Sequence, residues 1–336
     1  MVKRALLAEL STKTTDAQLA EILKLLDVEA CSRRTIARAV ESTLNVQTTY
    51  GSWLQTLKLP YSAGGEFLWH CCNPFALLNV LASTTPAFKE LLATSLERHP
   101  LTSSRPWRVI VYTDEASPGN LLAIDHKRKR HVLYWSFAEF GREASCREEA
   151  WLLGGIIRSS VASEISGGLS CVVKNFLRLF WGSASADLAT HGCVVAAVGQ
   201  LLFAKLAVVV ADHDAIRGIY SIKGSAGLKP CSLLCKNVIM GRSELLPAEG
   251  GYFCDVSCIG RGSSFDYHTN ASFYESVDML DKLSQTESQA KVRQLESILG
   301  LNHEPDGLLL CREIRSWILP VTQAISKAQG SRNPWN

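Results

Sequence analysis

The sequence predicts an α/β chain of the α+β kind, a mixed sheet flanked by helices with a helical segment in front of it. Two apolar, β-branched runs each end on an acid: Arg108-Val-Ile-Val-Tyr-Thr-Asp114-Glu115 and Leu206-Ala-Val-Val-Val-Ala-Asp212. Such runs read as buried strands. A basic-tipped meander follows the first run, and helical periodicity fills the space before the second. Ahead of both, residues 15–44 carry the caps and spacing of two short helices.

The composition suits a folded chain. Of 336 residues, 47% are hydrophobic and 20% charged, which excludes a disordered polymer. The length supports one large or two ordinary domains. A net charge of +3 does not argue for nucleic acid unless the basic residues cluster. Val2-Lys-Arg leads into a mixed stretch with Glu9, not a secretory leader. Eleven cysteines in that context read as reduced thiols, and the odd number argues against full disulfide pairing. Cys193 to Ala211 has the length of a membrane span, but Gln200 and Lys205 interrupt it. It reads as a buried helix ending near Lys205 and then a strand, so no membrane partner is expected.

At the N-terminus, Thr15-Asp-Ala-Gln18 matches a capping box. Leu19, Ile22, Leu23 and Leu26 follow at helical spacing, and Ser32 caps a second helix from Arg33 to Leu44. Two helices with a tight connection resemble a helix-turn-helix, and Arg33, Arg34 and Arg38 would meet DNA phosphates and base edges. An ordinary helical pair with a solvated basic face is the alternative.

Residues 46–106 suggest packed helices around Trp53, Trp69 and Phe75, with turns at Pro60, Gly64-Gly65 and Pro74. Residues 107–137 read as three strands, Arg108–Thr113, Leu121–Ile124 and His131–Phe137. The second turn holds Lys127 to Arg130, which fits either a nuclear-import pattern or a solvated hairpin tip. Residues 147–204 read as helices broken near Gly167 and Gly182. Leu169, Val172, Val173, Phe176, Leu177 and Phe180 share one face. Glu287 to Gly300 and Cys311 to Ile318 read as later helices.

Three antiparallel strands, helices and a strand ending in an acid is the opening order of a ribonuclease-H-like fold. There the first and fourth strands are neighbours and their acids converge on divalent metal. The division expected is a helical region at 1–104 and a catalytic-type domain at 105–336, with a cysteine-rich insertion at about 228–260.

Asp114 and Asp212 are the leading pair for catalysis and metal binding. Phosphoryl transfer needs ions that activate a nucleophile and stabilise a leaving oxygen. Mg²⁺ or Mn²⁺ prefers carboxylate oxygens. Glu115 and Asp214 are close alternatives, although Glu115 should point opposite to Asp114 on an extended strand. The competing reading makes all of them turn residues or helix caps. A second constellation, Cys231 with Cys235 and Cys254 with Cys258, has spacing that a structural zinc could use. Four buried thiols are its alternative. There is no Walker A loop, no GxGxxG and no HExxH. His213, between two acids, reads as an exposed loop histidine or a group behind the metal ligands.

Asp212-His-Asp-Ala215, then Arg217 to Gly224-Ser-Ala-Gly227-Leu-Lys-Pro-Cys231 and Cys235, resembles the signature of CACTA-type (En/Spm-like) DNA transposases. Val111-Tyr-Thr-Asp114-Glu115, with Pro118-Gly-Asn120 and Tyr134-Trp135-Ser136, is similar to the segment bearing their first acid. The likeness covers roughly residues 105–240. It implies a ribonuclease-H-like domain that cuts and joins DNA with two Mg²⁺, with Asp114 first acid, Asp212 second, and Cys231 and Cys235 in a knuckle. The cysteines depart from the family by one residue of spacing. The third acid has no motif of its own. Glu287, Glu296, Glu304 and Glu313 compete for it, and the domain reads as C-terminally incomplete.

The sequence thus points to a transposase-like protein acting on DNA phosphodiesters in the nucleus, or otherwise in the cytoplasm, with a non-catalytic DNA-binding transposon remnant as its first rival. A homo-oligomer is compatible with this reading. The remaining rival is an interaction protein without a nucleic-acid role.

Overall fold

The computed structural model describes residues 46–116, 129–182, 187–224, 227–229 and 268–317. The helix-turn-helix segment with Arg33, Arg34 and Arg38, the strand expected at 121–124, and all four cysteines of the zinc constellation lie outside these residues.

The first half of the described chain builds a hairpin, two helices and then the sheet centre. It runs β1 (Gln47–Thr48), β2 (Gly51–Ser52), β3 (Leu54–Pro60), β4 (Glu66–Cys72), α1 (Pro74–Thr84) and α2 (Pro86–Arg98). Then come β5 (Trp107–Ala116), β6 (Arg130–Phe137), α3 (Gly141–Ser145), β7 (Leu152–Arg158), α4 (Ser159–Glu164) and α5 (Gly168–Trp181). The rest is β8 (Cys193–Val195), β9 (Gln200–Leu202), β10 (Ala204–Ala211), α6 (His213–Ile219), α7 (Asn270–Thr286), α8 (Gln289–Leu299) and α9 (Arg312–Trp317).

Six strands form one mixed sheet in the order β10-β5-β6-β7-β4-β3. β10 runs parallel to β5, and β5, β6 and β7 form an antiparallel meander. Alternation explains β5: Trp107, Val109, Val111 and Thr113 are buried, while Arg108 and Asp114 are exposed. On the buried face, Trp135 meets Phe180 of α5 edge-on at 5.1 Å. A glycine lets that helix approach, since a Cβ on Gly154 would stand 2.4 Å from Phe176 Cζ. Gly154 is also the extra residue of a bulge, because Leu133 pairs with Gly155 and Tyr134 with Leu153.

Several expectations need correction. Residues 46–106 do not pack only as helices. A β3–β4 hairpin turns at Gly64 and Gly65, both at positive φ, and joins the sheet. The third strand of the meander is Leu152–Arg158, in a stretch expected to be helical. The buried helix expected before Lys205 is a small hairpin, β8 with β9. Among the described residues no helix is long and apolar enough to cross a membrane.

A smaller core lies under α7 and α8, where Val277, Leu280, Leu295 and Leu299 meet Ile222 and Leu301. Thr269 caps α7 with a reciprocal box to Ser272. Arg315 of α9 holds Asp278 of α7 through two bonds of 2.8 and 2.7 Å, the forked geometry that guanidinium and carboxylate favour.

Candidate active site at the tips of β5 and β10

The parallel register sets the site. Ala211 pairs with Thr113, the last pair between these strands. Asp212 and Asp114 each follow by one residue, so their backbones leave the sheet at neighbouring strand tips, with the Asp212 side chain lining the cavity on the Glu115 face. Both acids are exposed.

Each carboxylate is held locally. The Tyr112 hydroxyl donates to Asp114 Oδ2 at 3.1 Å, and the Glu115 amide donates to Oδ1 at 2.7 Å. Asp212 is the N-cap of α6, its Oδ1 accepting the Ala215 amide at 2.6 Å. Asp212 is therefore a helix cap, as one sequence alternative had it, and Oδ2 makes no hydrogen bond among the described residues. Burial raises the Tyr112 phenol above its ordinary value, aided by its bond to Asp114 and by the charges of Asp114 and Asp212. The tyrosine thus stands in the field of both acids.

Glu115 points the other way, as pleating requires. It lines a cavity of about 290 Å³ with His131, Ser159, Asp212 and Asp214. Lys129 Nζ donates to Oε2 at 2.6 Å and Ser159 Oγ to Oε1 at 2.8 Å. Burial works against the Glu115 charge, but these donors and His131 together hold its carboxyl below the usual range. Burial pushes the His131 imidazole down, opposed by Glu115 and Asp212. The His131 Nδ1 and Thr113 Oγ1 atoms are both buried without a hydrogen-bond partner. Orphaned buried polar atoms are rare in folded proteins, and these two sit on the Glu115 face of adjacent strands.

A second cavity, about 520 Å³, shares Ser163, Gly168, Leu169, Asp214 and Gly218 with the first and adds Arg217 and Glu304. Of the four glutamates considered for a third acid, Glu304 is the one on this wall. The others are committed elsewhere: Glu287 to Lys291, Glu296 to Lys223 and Glu313 to Arg178. Burial raises the Glu304 carboxyl above its ordinary value, with the charge of Glu296 adding to it.

The strand-tip carboxylates are hard oxygen donors of the kind Mg²⁺ takes. That ion is commonly held by one or two carboxylates with water and substrate phosphate completing its shell. Among the described residues no three His, Cys, Asp or Glu side chains converge enough to hold an ion by themselves.

Sequence reasoning found Asp114, Asp212, Glu115 and Asp214, and the fold gathers all four at one end of the sheet. His213 begins α6 and is exposed. His131 and Thr113 were missed as site residues because both sit inside apolar strands. The available signal was the hairpin itself, which sets His131 opposite Glu115. No protein-family model matches this chain, and no curated protein sequence matches it either.

Proposed function

We propose that this chain is a ribonuclease-H-like, transposase-type protein that cleaves and transfers DNA strands at phosphodiesters with the help of Mg²⁺ or Mn²⁺. The observation that carries the reading is the parallel register of β10 on β5, which sets Asp212 beside Asp114. A four-strand unit ordered β10-β5-β6-β7 with only its outer pair parallel is the arrangement that the reading requires.

In this mechanism Asp114 and Asp212 would hold the ion. When bound, it activates the attacking water or hydroxyl and stabilises the leaving oxygen. Tyr112 fixes the Asp114 carboxylate, and the Ala215 amide fixes that of Asp212. Glu304, whose burial favours the protonated form, serves as the third acid and delivers a proton to the leaving oxygen. Glu115 is a positioning group that ties Lys129 to Ser159 across the strand ends.

The test is nicking of supercoiled DNA by the full chain with Mg²⁺ or Mn²⁺. Cleavage lost in both Asp114→Asn and Asp212→Asn supports the reading. Cleavage unchanged in both sinks it. A second reading, a DNA-binding protein without cleavage, is favoured by the capping role of Asp212 and by the Lys129–Glu115 ion pair. Metal-independent DNA binding with no nicking would select it.

A further inference from the structure

The face of the sheet turned away from α5 carries three rows across β5, β6 and β7. Tyr112, Tyr134 and Leu153 form the first, Asp114, Val132 and Ile156 the second, and Ala116, Arg130 and Arg158 the third. On β5 and β6 successive rows are two residues apart, about 6.6 Å along a strand, and on β7 the bulged Gly154 adds one residue between the first two rows. Aromatic rings, a carboxylate and two guanidinium groups therefore follow one another on a single surface.

The aromatic end is a platform. The Tyr112 and Tyr134 rings stack with centroids 6.4 Å apart and planes 23° from parallel. The Trp151 ring lies 5.9 Å from Tyr112, and its Nε1 is tied to the Ser145 carbonyl at 3.0 Å. With Glu148 they line a cavity of about 620 Å³. The surface around it is apolar and open: Ile156 is 43% exposed, and Val208 and Val210 of the neighbouring β10 are 43% and 42% exposed.

The basic end has an unusual feature. Arg130 and Arg158 are direct cross-strand partners. Like charges set opposite each other destabilise a sheet. Neither has an acidic partner among the described residues, whereas the adjacent Lys129 is paired with Glu115 and Arg108, at the other end of β5, with Glu139. Two guanidinium groups so placed suit an anion that can bridge them.

We propose that this face is a track for an unpaired nucleic-acid strand. A base stacks on Tyr134, Tyr112 and Trp151, and the strand's phosphates meet Arg130 and Arg158, with Asp114 between them. Glu148 makes the aromatic end unsuitable for phosphate, which orders the strand along the track. The strand must be unpaired, because a base inside a duplex has both faces already covered. The choice of occupant rests on the cleavage function proposed above, but its test needs no metal.

The experiment is fluorescence anisotropy with the full chain in EDTA. A short labelled oligothymidylate is compared with an abasic strand of equal length and with a duplex. The oligothymidylate should bind on the order of tenfold more tightly than the abasic strand, the contribution expected of base–aromatic stacking. Tyr134→Ala combined with Trp151→Ala should erase that preference, while Tyr134→Phe, which keeps the ring, should retain it. Arg130→Gln with Arg158→Gln should weaken all strands alike and flatten the salt dependence. Equal binding of the intact and abasic strands by the unaltered protein overturns the proposal and needs no variant to fold. Duplex binding as tight as the unpaired strand overturns it as well. A base preference without nicking leaves the track standing and removes the cleavage reading. Nicking without a base preference does the reverse.

Discussion

The Tyr112 hydroxyl donates to Asp114 Oδ2 at 3.1 Å, from two residues earlier on the same face of β5. A strand brings such pairs together by its two-residue period. The phenol is thus the fixing group for the Asp114 carboxylate. Tyr112→Phe should keep the ring stack on Tyr134 and leave the fold intact, yet slow metal-dependent nicking several-fold. Comparing the metal concentration for half-maximal rate in the two proteins checks this. An unchanged value would show that the hydroxyl does not position the acid.

Asp212 combines a cap with a proposed metal ligand, and two substitutions separate these roles. Asparagine caps as well as aspartate. Asp212→Asn should therefore leave the urea midpoint nearly unchanged while abolishing nicking. Asp212→Ala should lose nicking and also about 1 kcal/mol of stability. Equal activity in the asparagine variant would make the residue a cap alone.

Packing around two glycines, Gly155 of β7 and Gly218 of α6, predicts opposite effects of adding a methyl group. A Cβ on Gly155 would stand 2.5 Å from Trp69 Cζ2 and 3.2 Å from the Cys71 Cβ. Gly155→Ala should cost about 1–3 kcal/mol. At Gly218, in α6, the nearest atoms would be an ordinary 3.6 Å away. Gly218→Ala should stabilise by about 0.4–1 kcal/mol. Thermal melts of the two variants should shift in opposite directions.

His131 should make stability sensitive to mild acid. Burial holds its folded value below the ordinary 6.5. Between these values the unfolded chain binds a proton that the folded chain does not, so stability falls as pH drops below about 6.5. Glu115 acts lower. Its folded value is depressed below 4.5, so its contribution is present above 4.5 and lost as pH falls through that depressed value. Urea melts across a pH series should show the upper slope vanish in His131→Gln while the lower one remains.

Glu304 should trade stability against activity. Its folded value is raised above 4.5 by burial, so stability declines as pH climbs through the raised value. Glu304→Gln removes that penalty and should raise the melting temperature at neutral pH. Under the proposed mechanism the same variant loses nicking. Full activity in the glutamine protein would dismiss Glu304 as the third acid.

Much of the sheet centre was legible because its pattern is local. β5, β6, β10, α5 and α8 each show periodicity over their own length, and Asp114 and Asp212 mark two strand ends. β7 was hidden because Leu152-Leu-Gly-Gly-Ile-Ile-Arg158 has no clean alternation. Its glycines answer to Phe176 and Trp69, contacts distant in sequence. The β8–β9 hairpin passed for a helix because nearly all of its residues are apolar. Gly192 and Gly199, both at positive φ, were the signal against helix. At the site, the acids could be read from the chain, but the orphaned Thr113 and His131 atoms depend on which strands become neighbours.

The bulge at Gly154 acts as a counting mark for everything after it on β7. Were Gly154 paired in a regular ladder instead of bulged, pleating would exchange the two sides of every later residue of β7. Ile157, now 3% exposed, would be thrown into water, and Arg158 would be driven under the helix layer. Arg130 would then face no partner guanidinium. Deleting Gly154 would instead leave Leu153 opposite Tyr134 and Gly155 opposite Leu133 in an unbroken ladder, so the paired cations would still face each other. The backbone's parity, more than the identity of its side chains, keeps the basic end of this surface in place.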